Sequence, residues 1–322
     1  MLPDLPNIME LADATPERFR AHVQANNSPV ILRGVARDWP VVDACSRSDR
    51  EVLAYLARFD SGELVSTLVA PPEARGRFNY QSDMTGFNFS KHSLPLREVF
   101  GALLGEATKA HPPAIAMQAI NASKQFPGLT TEISMPFVPE GVAPKLWIGN
   151  AATVAPHGDL YNNIACVAAG RRRFTLFPPD QLRNMYVGPI DLTPAGTPVS
   201  MVSVQNPDFD RFPRFREALA HAQVAELAPG DAIYIPYMWW HGVEALSSLN
   251  VLVNFWWNEH TPVHGHPLNA LVLASLVFRD LPEEHRQIWR QFFDYYVFAI
   301  GEPPIAHLPP TQRGIMGSID EQ

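Results

Sequence analysis

The residues best suited to chemistry begin with His157 and Asp159, which lie two positions apart in the string Pro156-His157-Gly158-Asp159-Leu160. In an extended chain alternate side chains point to the same face, so both side chains can reach one ion while Gly158 points away. A third ligand must come from a separate strand, and His241 lies in a later predicted strand. Two imidazoles and one carboxylate form the facial triad that holds Fe(II) and leaves three positions open for a cosubstrate and dioxygen.

Other ligand sets and other metals stay open at this point. Two histidines and a carboxylate also suit catalytic zinc, so a zinc hydrolase is an alternative. His260, His264 and His266, near Glu259, form a second candidate cluster. They lie in a connection that contains proline and glycine, where we expect them to be solvated or to cap the following helix.

Arg172 is the next candidate, in the run Gly170-Arg171-Arg172-Arg173-Phe174-Thr175-Leu176. Strand alternation places it on the face of Phe174 and Leu176, opposite Arg171 and Arg173. If the apolar face lines a barrel, Arg172 points inward, where a guanidinium is costly unless a carboxylate meets it. This pattern predicts an anionic ligand in the cavity; an internal salt bridge or an inverted strand register is the alternative.

Several polar and aromatic residues share the parity or the strands of these candidates. Asn163 and Asn254 could each donate a hydrogen bond to a ligand carboxylate, or equally satisfy backbone groups in a turn. Tyr161, Gln118, Trp239 and Trp256 are candidates for a substrate-binding wall, and each could instead be part of the core.

The elements that must position these residues are short strands. From about residue 114 the chain shows runs of five to eight residues separated by turn residues, the pattern of an all-β sandwich or barrel. Pro229-Gly230-Asp231 is a well-formed turn that separates two antiparallel strands. The predicted strands are 114–120, 145–150, 162–168, 172–177, 223–227, 231–235, 240–246 and 250–257.

Helices are predicted before and after this β region. Thr15-Pro16-Glu17 begins a helix of about ten residues, with a capping hydroxyl and a proline at the first helical position. A strand at Val30-Ile31-Leu32 and helices at 49–59 and 95–104 follow, whereas residues 70–93 are interpreted as an ordered loop region. After His266 two apolar stripes predict two further helices. We therefore divide the chain into 1–113, an N-terminal helical and strand elaboration; 114–264, the β core; and 265–322, a helical C-terminal part.

Composition excludes several classes of function. The 25 Lys and Arg residues against 33 Asp and Glu give a net charge of −8, which makes nucleic acid an unlikely partner by electrostatics. The longest apolar stretch, Leu268 to Phe278, is far shorter than a membrane span, so no membrane partner is expected. No signal peptide is recognised at the N-terminus, and with only two cysteines, Cys45 and Cys166, we predict reduced thiols and a cytoplasmic protein.

With these motifs in place the chain resembles the JmjC-like, cupin-type Fe(II)/2-oxoglutarate oxygenases, and within them the branch of the hypoxia-inducible-factor asparaginyl hydroxylase. The motifs are Pro29-Val30-Ile31-Leu32-Arg33-Gly34 with Trp39-Pro40, FTLFPPDQ at 174–181, and the series Pro229-Gly230-Asp231, Trp239-Trp240-His241 and Val253-Asn254-Phe255-Trp256. The resemblance implies a mainly β fold, a double-stranded β-helix (jelly roll) with an N-terminal α/β elaboration and C-terminal helices.

The resemblance also implies roles for individual residues. His157, Asp159 and His241 would ligate Fe(II), and Asn163 and Asn254 would lie beside bound 2-oxoglutarate. Arg172 falls where the relative has a lysine for the distal carboxylate of 2-oxoglutarate, and arginine keeps that charge with a bidentate fork. A tyrosine that also contacts this cosubstrate in the relative has no clear match around 115–118.

The implied activity is a dioxygenase that hydroxylates a protein or peptide side chain or a small molecule, with Fe(II), 2-oxoglutarate and O2. The alternative from another class is a cupin-like protein that senses a metal or small anion in the same pocket without turnover. The two C-terminal helices resemble the dimerising helices of the relative, which predicts a homodimer; folding back onto their own barrel is the alternative.

Overall fold

The computed structural model describes residues 5–194, 196–258, 265–301 and 304–317. The chain forms two compact units, Met1–Glu259 and His260–Gln322. The first unit holds every strand found in the described residues and six helices, and the second holds the two long C-terminal helices. The domain boundaries expected near residues 113 and 264 stay predictions.

Within the described residues, twelve strands and eight α-helices provide the framework. The strands are β1 Val30–Leu32, β2 Val65–Ala70, β3 Ser90–Leu94, β4 Ala114–Asn121, β5 Pro144–Gly149, β6 Thr153–Gly158, β7 Asn162–Ala169, β8 Arg172–Phe177, β9 Gln223–Leu227, β10 Ala232–Ile235, β11 Trp240–Ala245 and β12 Asn250–Trp257. The helices are α1 Pro16–Asn26, α2 Pro40–Arg47, α3 Asp49–Ala57, α4 Leu96–Glu106, α5 Ala122–Gln125, α6 Phe215–Ala220, α7 Pro267–Phe278 and α8 Glu283–Phe292.

The strands form two antiparallel sheets. The larger has eight strands in the order β1-β10-β7-β12-β5-β4-β2-β3, and the smaller has four in the order β6-β11-β8-β9. Apolar side chains from both sheets pack together between them, including Ile233 and Leu252 from the large sheet and Phe174, Leu176 and Val243 from the small one. The chain is therefore mainly β, a cupin-type jelly roll with helices flanking the core, as expected.

The outer face of the large sheet is covered by the N-terminal helices. Phe19 of α1 contacts Tyr234 of β10 edge-on, and Trp39, Leu53 and Leu103 belong to the same buried cluster. Helix α1 begins as predicted, with the Thr15 hydroxyl accepting a hydrogen bond from the Arg18 N–H. This cluster packs against the large sheet, whose strands β7 and β12 carry the candidate residues Asn163 and Asn254.

Several local elements differ from the expectations. Residues 70–93 are not only a loop, because Ser90–Leu94 forms the exposed edge strand β3 against β2. The strand Ser-Lys-His-Ser-Leu has no apolar alternation, and so its sequence lacks the usual strand signal. Helices α2, α5 and α6 and strands β2 and β6 were also not predicted. Strand β6 contains Pro156, which weakens a strand pattern.

The turn at Gly230 adopts the expected positive φ of 95°, which glycine tolerates best. The two strands that it separates do not pair with each other: β9 pairs with β8 in the small sheet, and β10 pairs with β1 and β7 in the large one. The turn therefore crosses between sheets. Asp231 stabilises the crossing by accepting hydrogen bonds from the Gly34 N–H at 3.0 Å and the Arg33 guanidinium at 2.8 Å.

The second unit is a pair of helices with exposed apolar side chains. Helix α7 has no charged residue in its twelve positions, and its Leu273 and Leu276 are both 64% exposed. Helix α8 is amphipathic and continues into a π-helical turn at Phe293–Val297. Among the described helices, none combines the length and apolar character that a bilayer span would require.

Candidate metal centre

Strands β6 and β11 bring the three predicted ligands together. His157 lies directly opposite His241 in the antiparallel ladder, and their ring centroids are 4.3 Å apart. Asp159 follows one residue after β6 ends, with its carboxylate oxygens 3.9 Å from His157 Nε2 and 3.5 Å from His241 Nε2. One ligand atom from each residue falls within 4.8 Å of the other two, a spacing that a single metal ion can span.

Hydrogen bonds to the backbone orient both imidazoles. His157 Nδ1 lies 2.9 Å from the Ala155 carbonyl oxygen, and His241 Nδ1 lies 3.0 Å from that of Trp239. A carbonyl oxygen only accepts, so each Nδ1 carries the proton and each Nε2 presents a lone pair toward Asp159. Burial, followed by the neighbouring His157, lowers the pKa of His241 to about 4, which keeps this ring neutral and suited to bind a cation.

Arg172 faces the interior of the barrel from the first position of β8, whereas the metal ligand His241 lies opposite Leu176 near the end of that strand. Arg172 lies opposite Ala245 in the β8–β11 ladder, four residues from Leu176. Its side chain is 9% exposed, its buried Nε has no hydrogen-bond partner, and burial lowers its pKa to about 10. Arg171 and Arg173 point to the other face and pair with Glu226. The alternation expected from the sequence is thus present.

The two predicted asparagines belong to one hydrogen-bonded chain. Asn254 of β12 donates from Nδ2 to Asn163 Oδ1 of β7 at 3.3 Å and accepts from Trp147 Nε1 at 2.8 Å. Asn163 is 4% and Asn254 1% exposed, so neither is a surface residue. They share strand parity with Ala165 and Leu252 of the interior cluster, so their side chains face the space between the sheets and do not satisfy a turn.

Aromatic side chains border the end of the barrel at which β7 begins. Tyr161 and Trp256 are stacked, with centroids 5.8 Å apart and planes at 15°, and Trp147 contacts Trp256 edge-on at 5.9 Å. Trp239 packs against the interior cluster. Gln118 lies in a β-bulge beside Ala119, whose φ is +50°, and both fall opposite Trp147. The structure therefore brings Tyr161 and Trp256 together and places Gln118 on a different strand.

The sequence analysis did not identify Trp147 or Lys145, which lie on the inner face of β5. The pairing of Asn254 with Lys145 across the ladder shows the direction of this face. The string Lys-Leu-Trp contains no recognisable site motif. Only the register of β5 against β12 could have indicated that Lys145 and Trp147 face the interior. Of the alternative cluster, Glu259, His260 and His264 lie outside the described residues.

The donor set fits a resident metal and an anionic cosubstrate. Two imidazoles and a carboxylate match a facial triad or a catalytic zinc site. The buried Nε of Arg172, which lacks an acceptor, fits a carboxylate in the cavity. The arrangement is compatible with metal binding.

Comparisons with known proteins extend this picture. The sequence profile described as "Cupin-like domain" matches residues 16–262. The chain is 37% identical over 151 residues to HSPB1-associated protein 1 of Homo sapiens, a match covering 45% of this chain and 30% of that protein. It is 26% identical over 272 residues to the bifunctional peptidase and (3S)-lysyl hydroxylase JMJD7 of Homo sapiens, covering 76% of this chain and 81% of that protein.

A third relative is lysine-specific demethylase 8 of Xenopus tropicalis, 26% identical over 250 residues that cover 75% of this chain and 51% of that protein. The chain thus spans about half or less of the length of two of these relatives. Names that contain hydroxylase and demethylase describe those proteins and agree with a JmjC-type domain here.

Proposed function

The chain belongs to the cupin-like, JmjC-type family, and on this premise we propose that it is an Fe(II)- and 2-oxoglutarate-dependent oxygenase that hydroxylates its substrate. The single observation that carries the proposal is the convergence of His157, Asp159 and His241 within 4.8 Å, with a buried guanidinium in the same barrel. With iron bound, such a centre couples oxidative decarboxylation of 2-oxoglutarate by O2, giving succinate and CO2, to hydroxylation of a substrate carbon.

Each group of this chain has a distinct task in the proposed reaction. His157, Asp159 and His241 would hold the metal, which would supply the binding of the cosubstrate and O2. Arg172 binds the distal carboxylate of 2-oxoglutarate with two parallel N–H donors, and Asn163 and Asn254 lie beside the same molecule. Trp147 fixes the Asn254 amide through its Nε1–H. The aromatic residues around Trp256 exclude water from the reacting carbon.

As the substrate we propose a protein or peptide side chain or a small molecule that rests against Tyr161 and Trp256, with Trp239 and Gln118 completing the wall. The lysyl hydroxylase among the relatives supports hydroxylation, and the demethylases support the same oxidation of an N-methyl carbon. We further propose that the protein is a homodimer joined through α7 and α8.

The test combines ligand binding with turnover. Anaerobic addition of Fe(II) and 2-oxoglutarate should produce a visible charge-transfer band, and admission of O2 should then form succinate. His157→Ala and Asp159→Ala should lower succinate formation by more than about 100-fold, because losing a ligand costs more than losing an outer-shell partner. His221→Ala and Asp210→Ala change exposed residues of the same types and serve as controls.

The alternatives give different results in the same experiment. Binding of Fe(II) and 2-oxoglutarate without consumption of the cosubstrate would favour the sensor. Failure to bind 2-oxoglutarate, with hydrolysis supported by Zn²⁺, would favour the hydrolase. Turnover at the wild-type level in Asp159→Ala would remove the metal assignment.

A further inference from the structure

Lys145 is an inward-facing cation at the end of the barrel that carries the metal ligands. It lies near the start of β5, directly opposite Asn254 on β12 and Asn121 on β4. Directly opposed side chains in an antiparallel ladder have Cβ atoms about 5 Å apart on the same face. Lys145 therefore shares its face with Asn254, the residue bonded to Asn163.

This ammonium group has no acidic partner within the described part of the chain. No described carboxylate oxygen lies within 4.0 Å of Nζ, which faces the ring of Trp256 at 5.9 Å from the centroid. The lysines at 109 and 124, by contrast, pair with Glu106 at 2.7 Å and Glu63 at 3.1 Å. A partly buried ammonium loses hydration that an aromatic face only partly replaces, so a matching anion is favourable here.

The surroundings of Lys145 define what can approach it. Tyr161, which is 44% exposed, lies against Trp256 with the ring planes 15° apart, and the Trp256 centroid is 5.9 Å from Lys145 Nζ. We call this ring pair the aromatic shelf. The Asn254 amide between Lys145 and Asn163 is already bonded on both sides, to Trp147 and to Asn163. Lys145 is therefore a cation on this side of the barrel that has no acidic partner among the described residues and can bind a charged ligand atom.

Lys145 is also separated from the cation that we assign to the cosubstrate. Arg172 begins β8, after the turn that follows the end of β7 at Ala169, whereas Lys145 lies opposite Asn254, which pairs with Ala165 four residues before that end. The two cations thus lie at different levels along the strands and on different sheets. A ligand carboxylate held by Arg172 does not by itself neutralise the charge of Lys145.

We propose that Lys145 is a specificity-determining residue that selects substrates with a negatively charged group close to the carbon that is oxidised. This inference rests on the proposed function and adds the charge of the substrate to it. The anion belongs to an acidic side chain of a peptide or to a small organic acid, since both present the same chemistry to an ammonium group. Either would lie on the shelf of Tyr161 and Trp256 with its charge toward Nζ.

The experiment measures binding, which does not depend on turnover. Wild-type protein is saturated with Mn²⁺ and 2-oxoglutarate without O2, so that Arg172 is occupied. It is then offered two degenerate octapeptide pools that differ only in carrying aspartate or asparagine, and retention is quantified by mass spectrometry. N-acetylaspartate and N-acetylasparagine are titrated by calorimetry as the small-molecule pair. We expect the aspartate member of at least one pair to bind about tenfold better, the usual gain of a charge-assisted hydrogen bond.

Variants assign this preference to one residue. Lys145→Met should abolish the preference, Lys145→Arg should keep it, and Lys145→Glu should reverse it. Lys91→Glu, on the exposed edge strand β3, changes the net charge by the same amount and should keep the preference. Thermal unfolding of each variant confirms that the fold is intact.

Three outcomes would overturn the inference. They are equal binding of the aspartate and asparagine probes by the wild type, retention of neither probe, and a preference that persists in Lys145→Met. A raised KM for 2-oxoglutarate in Lys145→Met with no change in probe preference would assign Lys145 to the cosubstrate and also contradict it. Binding and consumption of 2-oxoglutarate are measured on the same preparations, so failure of the proposed function is recognised separately.

Discussion

His157 and His241 lie directly opposite each other in the β6–β11 ladder, and both turn Nδ1 to the carbonyl oxygen of the residue two positions earlier. The same local hydrogen bond on two facing strands presents both Nε2 atoms to one side. The register changes immediately after this pair, between His241 and Val243, so the ladder is regular at the ligands and irregular beyond them. Bulges of this kind commonly occur next to active sites, where they direct a side chain.

Replacement of Arg172 should weaken 2-oxoglutarate binding and at the same time raise the free energy of unfolding. Arg172→Met removes a buried cation without an acceptor at Nε, so we expect the ligand-free protein to gain about 1–4 kcal/mol in urea unfolding, as when other buried ions are replaced by apolar groups. The KM for 2-oxoglutarate should rise at least about tenfold in Arg172→Met. The KM of Arg172→Lys should lie between the values of the wild type and Arg172→Met, because an ammonium group keeps the charge but cannot form the bidentate pair.

The contribution of Arg172 to stability should also depend on pH, and at neutral pH it should be destabilising. Burial lowers the pKa of Arg172 to about 10, so the charged form destabilises the fold at every pH below 10, and this penalty is relieved only as the pH rises from 10 toward 12.5. The gain from Arg172→Met should therefore be fully present at neutral pH. Arg171→Met, which removes an exposed ion pair with Glu226, is the control. It should leave both the free energy of unfolding and the KM for 2-oxoglutarate nearly unchanged. A less stable Arg172→Met with unchanged KM would contradict the assignment.

The Trp147–Asn254 hydrogen bond should show energetic coupling. Asn254→Leu leaves the Trp147 Nε1–H and Asn163 Oδ1 without their partner, so we expect a loss of about 1–3 kcal/mol of unfolding free energy. In Trp147→Phe/Asn254→Leu the loss should be smaller than the sum of the single losses by about 1 kcal/mol. Additive effects would show that the bond contributes nothing in solution. Asn258→Leu, at a more exposed asparagine, controls for the substitution itself.

The turn between β7 and β8 should tolerate no side chain. Gly170 has a φ of +72°, and a Cβ there would lie 2.3 Å from the Leu249 carbonyl oxygen. Gly141 has a φ of +83° with no atom within 4 Å of the same position. We expect Gly141→Ala to lose about 1–2 kcal/mol from backbone strain alone, and Gly170→Ala to lose at least twice as much. Urea unfolding of both variants measures the difference, and equal losses would show that the turn relaxes freely.

The C-terminal helices should determine the oligomeric state. Light scattering of the wild type should give twice the chain mass of 35.8 kDa, because the exposed apolar positions of α7 and α8 can bury each other in a symmetric pair. Leu273→Glu/Leu276→Glu should give the monomer mass. Leu182→Glu, at a 55% exposed leucine of the first unit, should leave the mass unchanged. A monomeric wild type would contradict the homodimer.

Much of the fold could be predicted because its signals are local. Strands β7, β8 and β12 have continuous apolar or alternating patterns, and the structure places them within one residue of the predicted ends. Strand β3 could not be predicted, because all but one of its side chains are exposed and the pairing with β2 alone holds it extended. Strand β6 was missed although it contains His157, since Pro156 interrupts its pattern.

The sequence by itself determined that His157 and Asp159 share a face and that Arg172 alternates with Phe174 and Leu176, because side-chain alternation along a strand depends only on neighbouring residues. Only the tertiary structure decided that His241 meets His157 in register, and that Lys145 lies beside Asn254. Such pairings join residues 84 and 109 positions apart (241 − 157 and 254 − 145). Their register depends on how all strands of two sheets bury their apolar faces at once, and no local pattern contains that information.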